Sequence, residues 1–88
     1  MTHEELSQAA ARQPFQPFRL ILTTGATYEI RHPELIMVGR RSAILGITHQ
    51  PEAIVYDRTL RVDLLHVVGI EELPTSPSSQ NGPPAQPN

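Results

Sequence analysis

FRLILTTGATYEIR, residues 18–31, carries two alternating runs around a glycine. In the first run Phe18, Leu20 and Leu22 share one parity and Arg19, Ile21 and Thr23 the other. In the second, Ala26, Tyr28 and Ile30 alternate with Thr27, Glu29 and Arg31. Period-two patterning on both sides of Thr24-Gly25 predicts a β-hairpin, because glycine supplies the backbone freedom that a tight turn needs.

Upstream of the hairpin the pattern is helical. Thr2 and Glu5 have the spacing of a capping box, and Leu6, Ala9, Ala10 and Gln13 recur on one side. These features predict a helix over residues 3–13, with Arg12 at the negative end of its dipole and Pro14 stopping it. Downstream, His32-Pro33 interrupts ladder pairing, and the apolar residues Leu35, Ile36, Met37 and Val38 resume at once. A bent or broken strand over 26–38 is expected, then strands near 42–47, 54–63 and 67–73. Residues 54–63 allow either one half-buried strand, the preferred reading, or a turn at Asp57-Arg58; Leu64-Leu65-His66 reads as a short helical turn, with His66 half-buried and holding it through a backbone hydrogen bond.

The last residues, PTSPSSQNGPPAQPN from Pro74, contain no charged or aromatic side chain. Such a segment buries too little apolar surface to offset its ordering entropy, so residues 74–88 are expected to be a disordered tail. Residues 1–73 then form one domain. The 88-residue chain has no cysteine, which leaves packing rather than disulfides to hold a small core, and makes self-association a natural supplement. Neither a basic leader followed by an apolar run nor a stretch of about 18 apolar residues is present. The expectation is a soluble, cytoplasmic protein without membrane contact. All seven basic residues are arginine, and nine acidic residues leave a net charge of −2, which opposes generic polyanion binding but leaves room for a local patch.

A helix followed by about five short strands, the second bent, is the order expected of an Sm-like or SH3-like small open barrel. The fold class expected is therefore mainly β (α+β), an N-terminal helix on a five-stranded antiparallel barrel. The layout resembles that of the bacterial Sm-like RNA chaperone, with RVDLLHVVGIEEL as its strand-turn-strand ending, although that family's RNA-contacting signature is absent from the chain. The stretches PFQPF, RHPE and DLLH, with the glycine hairpin, more closely resemble a group of small uncharacterised bacterial proteins over roughly residues 14–73. That resemblance implies no reaction, cofactor or partner.

Candidate sites follow from the same residues. Phe15 and Phe18 flank Pro17 and suit either the core, the reading preferred, or a docking surface. Tyr28 and Tyr56 sit on apolar parities and are expected in the core. Arg31, His32, Arg40 and Arg41 form two basic doublets that suit an anion or nucleic-acid patch if they converge, and ordinary solvated surface if they do not. Leu35, Ile36, Met37 and Val38 are apolar on both parities, more than one small core accepts from one strand, so part of this run is expected to face a partner or a second copy. His3, His32, His49 and His66 match no compact ligand spacing, and no metal or other cofactor is expected. No nucleophile has an evident base, so no catalytic residue is assigned. The leading expectation is a non-catalytic protein-binding or scaffolding module; the alternative is an Sm-like RNA- or DNA-binding protein using the Arg/His doublets, and a regulatory subunit of an enzyme is a third.

Overall fold

The capping box forms. In a computed structural model, which describes residues 1–74, Glu5 N donates to Thr2 Oγ1 at 3.2 Å and Thr2 N to Glu5 Oε1 at 3.1 Å. Helix α1 spans His3–Ala11 and buries Leu6. It ends two residues before the expected limit, with Arg12 extended, since Gln13 precedes a proline and is biased away from the helical region. Arg12 does not serve the helix dipole; its Nη1 donates instead to Glu72 Oε2 at 2.9 Å.

The hairpin forms in the expected register. Strand β1, Phe18–Leu22, pairs antiparallel with β2, Thr27–Ile30, with Phe18 opposite Ile30 and Leu20 opposite Tyr28. Gly25 has φ +90°, the left-handed region that favours glycine at this turn. Strand β6, Val67–Glu72, pairs with the other edge of β1, giving a sheet ordered β2-β1-β6. A register shift between Ile21 and Leu22 leaves Val68 as an extra residue on β6, so Val67 enters the core while Val68 is exposed.

Three further strands, β3 Ile36–Val38, β4 Ser42–Ile47 and β5 Arg58–Asp63, make a second antiparallel sheet ordered β3-β4-β5. Among the described residues there are thus six strands in two sheets where five were expected. The difference lies in the 26–38 segment, which Pro33 breaks into β2 and β3 around a 3-10 turn, Pro33–Leu35, because proline removes a ladder donor. A second 3-10 turn, Leu64–His66, carries the chain back to the first sheet, and Asp63 Oδ1 caps it by accepting from Leu65 N at 3.0 Å. RHPE and DLLH therefore lie at the two places where the chain changes sheets. His66 is exposed, and the turn is held through its carbonyl, which accepts from Thr23 N at 2.8 Å.

Residues 54–57 do not extend β5, contrary to the single long strand preferred from parity. They belong to a loop whose neck is closed by Asp57: its N–H donates to Ile47 O at 2.8 Å, and its carboxylate accepts from the backbone N–H and ring of His49. Tyr56 is consequently 55 % exposed rather than in the core, whereas Tyr28 packs against it. The core lies between the sheets. Phe18, Leu20, Ile30 and Val67 meet Ile36, Ala43, Leu45 and Val62, and Leu6 and Leu64 join them from α1 and the second corner. Complete burial of each large aliphatic or aromatic side chain contributes about 1.5–3 kcal/mol. The tail expected from residue 74 lies, beyond Pro74 itself, outside the described residues.

Candidate binding face on the second sheet

Alternation along β3 and β4 sends Ile36, Ala43 and Leu45 inward and Met37 and Ile44 outward. Met37 and Ile44 are direct cross-strand partners, and Arg61 of β5 is the next residue in the same row. Neighbouring strands lie about 4.8 Å apart, so these three side chains form one continuous outward row. Met37 is 67 % exposed and Ile44 39 %. Two residues along β4, Gly46 continues the outward parity, and the position of its missing side chain is covered by Leu35 Cδ2 and Tyr56 Cβ, each 3.0 Å from where a Cβ would stand. The lack of a side chain at Gly46 thus lets Leu35 and Tyr56 lie over the sheet; Leu35 is buried there, and Tyr56 carries the apolar surface on toward the loop, where Ile54 and Val55 are also exposed.

Charge divides between the two sheets. On the first, Arg19 of central β1 stands between its neighbours' carboxylates, at 2.9 Å from Glu29 and 2.6 Å from Glu71. Arg31 also reaches Glu29 at 3.0 Å. Hydrogen bonding from Arg19, helped by Arg31, holds the Glu29 carboxyl below the ordinary carboxylate range. Hydrogen bonding from His49 lowers that of Asp57 in the same way. With Arg12 on Glu72, every arginine on or beside the first sheet has a carboxylate partner. Among the described residues, Arg40, Arg41, Arg58 and Arg61, all on β5 or the β3–β4 turn, have none at ion-pair distance.

The sequence-predicted residues separate accordingly. Phe18 and Ile36 are core residues and Leu35 is buried, so these three are not available to a partner; Val38 is half-buried and Met37 alone of its run is exposed. Phe15 is half-buried, with its ring centroid 5.9 Å from that of Phe18. Arg31 and His32 line one groove with Phe15 and Pro51, while Arg40 and Arg41 line another with Met1, Asp63 and Leu65. His32 is engaged locally, its Nε2 lying 3.1 Å from Pro51 O. The two doublets share no groove among those lined by the described residues.

Ile44, Tyr56 and Arg61 belong to this face and were not among the candidates. The signal for Ile44 was present: Ala43, Ile44, Leu45 and Ile47 are apolar on both parities, the same excess that marked Leu35–Val38. Among the described residues no three histidine or acidic side chains gather as a metal-ligand set, and no helix is long and apolar enough to cross a membrane. Comparison of the chain with protein-family models, with curated proteins and with solved structures finds no match.

Proposed function

We propose that this protein is a non-catalytic protein-binding or scaffolding module of the Sm-like/SH3-like small open-barrel type, which presents the outer face of β3-β4-β5 to another polypeptide. The observation that carries this reading is the outward Met37–Ile44 pair, aliphatic on both strands and exposed. Water contact with such a pair is unfavourable, and a partner covering it recovers the apolar area. The barrel reading is supported by the order of elements, by β1 pairing on both edges, and by the two 3-10 corners that pass the chain between the sheets.

Site-specific photo-crosslinking tests the function. A benzoylphenylalanine at position 37 is expected to give a discrete crosslinked protein in the cells that make the chain, and the same group at position 27, on the outer parity of the first sheet, is expected to give none. A product of twice the chain's mass would make the partner a second copy. Equal yields from both positions, or no protein adduct from position 37, would sink the reading; RNA or DNA crosslinked there would favour a nucleic-acid-binding role.

A further inference from the structure

We infer that the polypeptide recognised by this face is acidic: a segment that sets aliphatic or aromatic side chains on Met37 and Ile44 and places carboxylates against Arg61 and the Arg40–Arg41 turn. The inference rests on the protein-binding reading above and adds the chemistry of the partner. Its ground is the unequal pairing of arginines. The chain has more carboxylates than arginines, yet Arg12, Arg19 and Arg31 take carboxylate partners and the four arginines of the second sheet take none. Of the acids that line the groove with Arg40 and Arg41, Asp63 spends one oxygen capping Leu65 N and Glu4 lies 3.7 Å from His3 Nε2. Asp57 is occupied by His49. Register places Arg61 on the outward row with Asp63 on the same parity, while Arg58, opposite Ile47, takes the inward parity, and Arg40 and Arg41 line the adjoining groove. A chain with a net charge of −2 therefore sets one unpaired arginine beside an exposed aliphatic pair, with two more at the neighbouring turn.

Three occupants compete for such a face, and charge separates them. An isologous contact with a second copy would bring two faces of the same arginine-bearing kind together and supply no new carboxylate beyond Asp63, which already caps Leu65 N. A head-to-tail contact through the first sheet would offer Glu29, Glu71 and Glu72, whose carboxylates Arg19, Arg31 and Arg12 already engage; the exposed Glu34 and Glu52 lie outside both sheets, singly, and offer less charge than a contiguous acidic segment. Nucleic acid would satisfy the arginines but leave Met37 and Ile44 against sugar and phosphate, with Tyr56 over Gly46 as a single aromatic ring at the end of the face rather than a row of them. An acidic peptide with apolar anchors satisfies both halves of the surface. Arginine suits this role because its planar fork matches a carboxylate in two hydrogen bonds.

The test is a displayed library of random 12-residue peptides selected against the full chain, with Met37→Ser/Ile44→Ser as the counter-target. A 20-nucleotide single-stranded RNA and its DNA equivalent serve as separate anisotropy probes. Peptides that need Met37 and Ile44 are expected to be enriched in Asp and Glu beside Leu, Ile or Phe. Their affinity is expected to fall about two- to fivefold for each of Arg40→Gln, Arg41→Gln and Arg61→Gln. It should also weaken between 50 and 500 mM salt, as the screening length contracts from above about 10 Å to a few ångströms. Retained amide dispersion in NMR spectra certifies each variant as folded, and Arg19→Gln on the other sheet is the control expected to change nothing.

Neutral or basic peptides that depend on Met37 and Ile44 would overturn the acidic partner while leaving the binding face in place. Enrichment that ignores the counter-target, or no enrichment, would overturn both. RNA or DNA that binds and is displaced by Arg61→Gln would replace the acidic peptide with a nucleic-acid partner.

Discussion

Ile36 and Met37 are adjacent in a three-residue strand, and the binding face exists only if they point in opposite directions. Ile36 is 7 % exposed and packs in the core, while Met37 stands in water. Ile36→Ala removes three buried carbon groups worth about 0.8 kcal/mol each and leaves a cavity, for a total cost of about 2–4 kcal/mol. Met37→Ser loses only some strand propensity and surface contact, within about 0.5 kcal/mol. A domain of this size has about 4–11 kcal/mol of stability and a urea slope of about 1 kcal/mol per molar. The urea midpoint is therefore expected to drop by about 2–4 M for Ile36→Ala and by less than about 0.5 M for Met37→Ser. Equilibrium unfolding followed by far-ultraviolet circular dichroism reads both. Equal losses, or a larger loss at Met37, would mean that the strand sits one residue out of register, since a slip of one reverses every side chain. The face described here would then be the core.

Three other perturbations probe the frame that holds this face. Gly39→Ala places a Cβ 2.9 Å from the Ser42 carbonyl oxygen, which also accepts the Gly39 N–H at 2.7 Å, so the β3–β4 turn must open; thermal melting should show a loss of about 1–3 kcal/mol, and unchanged stability would contradict the turn geometry. Arg19→Ala is expected to return the Glu29 carboxyl upward toward its ordinary range, as read by side-chain ¹³C titration. A carboxyl held low contributes stability that is present above its unfolded pKa and lost as pH falls through the lower folded value, so the variant should show a flatter loss of stability below the ordinary carboxylate range; an unmoved Glu29 titration would refute the pairing. Asp57 obeys the same sign, its lowered carboxyl stabilising the loop above that pKa, and Asp57→Ala at neutral pH, which removes the acceptor, is expected to speed hydrogen exchange at the His49 amide. Unaltered exchange in Asp57→Ala would show that another group holds that amide.

The helix start, the glycine hairpin, the break at Pro33 and the turn before β6 were legible in the sequence because each is set by interactions within a few residues. A capping box needs only Thr2 and Glu5, a hairpin only alternation around Gly25, and a strand break only a missing donor at Pro33. Parity also revealed that Leu35–Val38 held more apolar side chains than one side of a strand accepts. Which of them stayed in water was settled by β4 and by the close approach over Gly46, which tuck Leu35 away and leave Met37 out. Residues 54–57 misled for the same reason: their alternation satisfies a strand, but the hydrogen bonds of Asp57 to Ile47 and His49 commit them to a loop. The division of charge was likewise invisible, because Arg19 finds Glu29 and Glu71 only when β1 lies between β2 and β6. Local chemistry is written in consecutive residues; the choice of inner and outer face, and of which arginines go unpaired, depends on contacts between segments far apart in the chain and is made only when the sheets assemble.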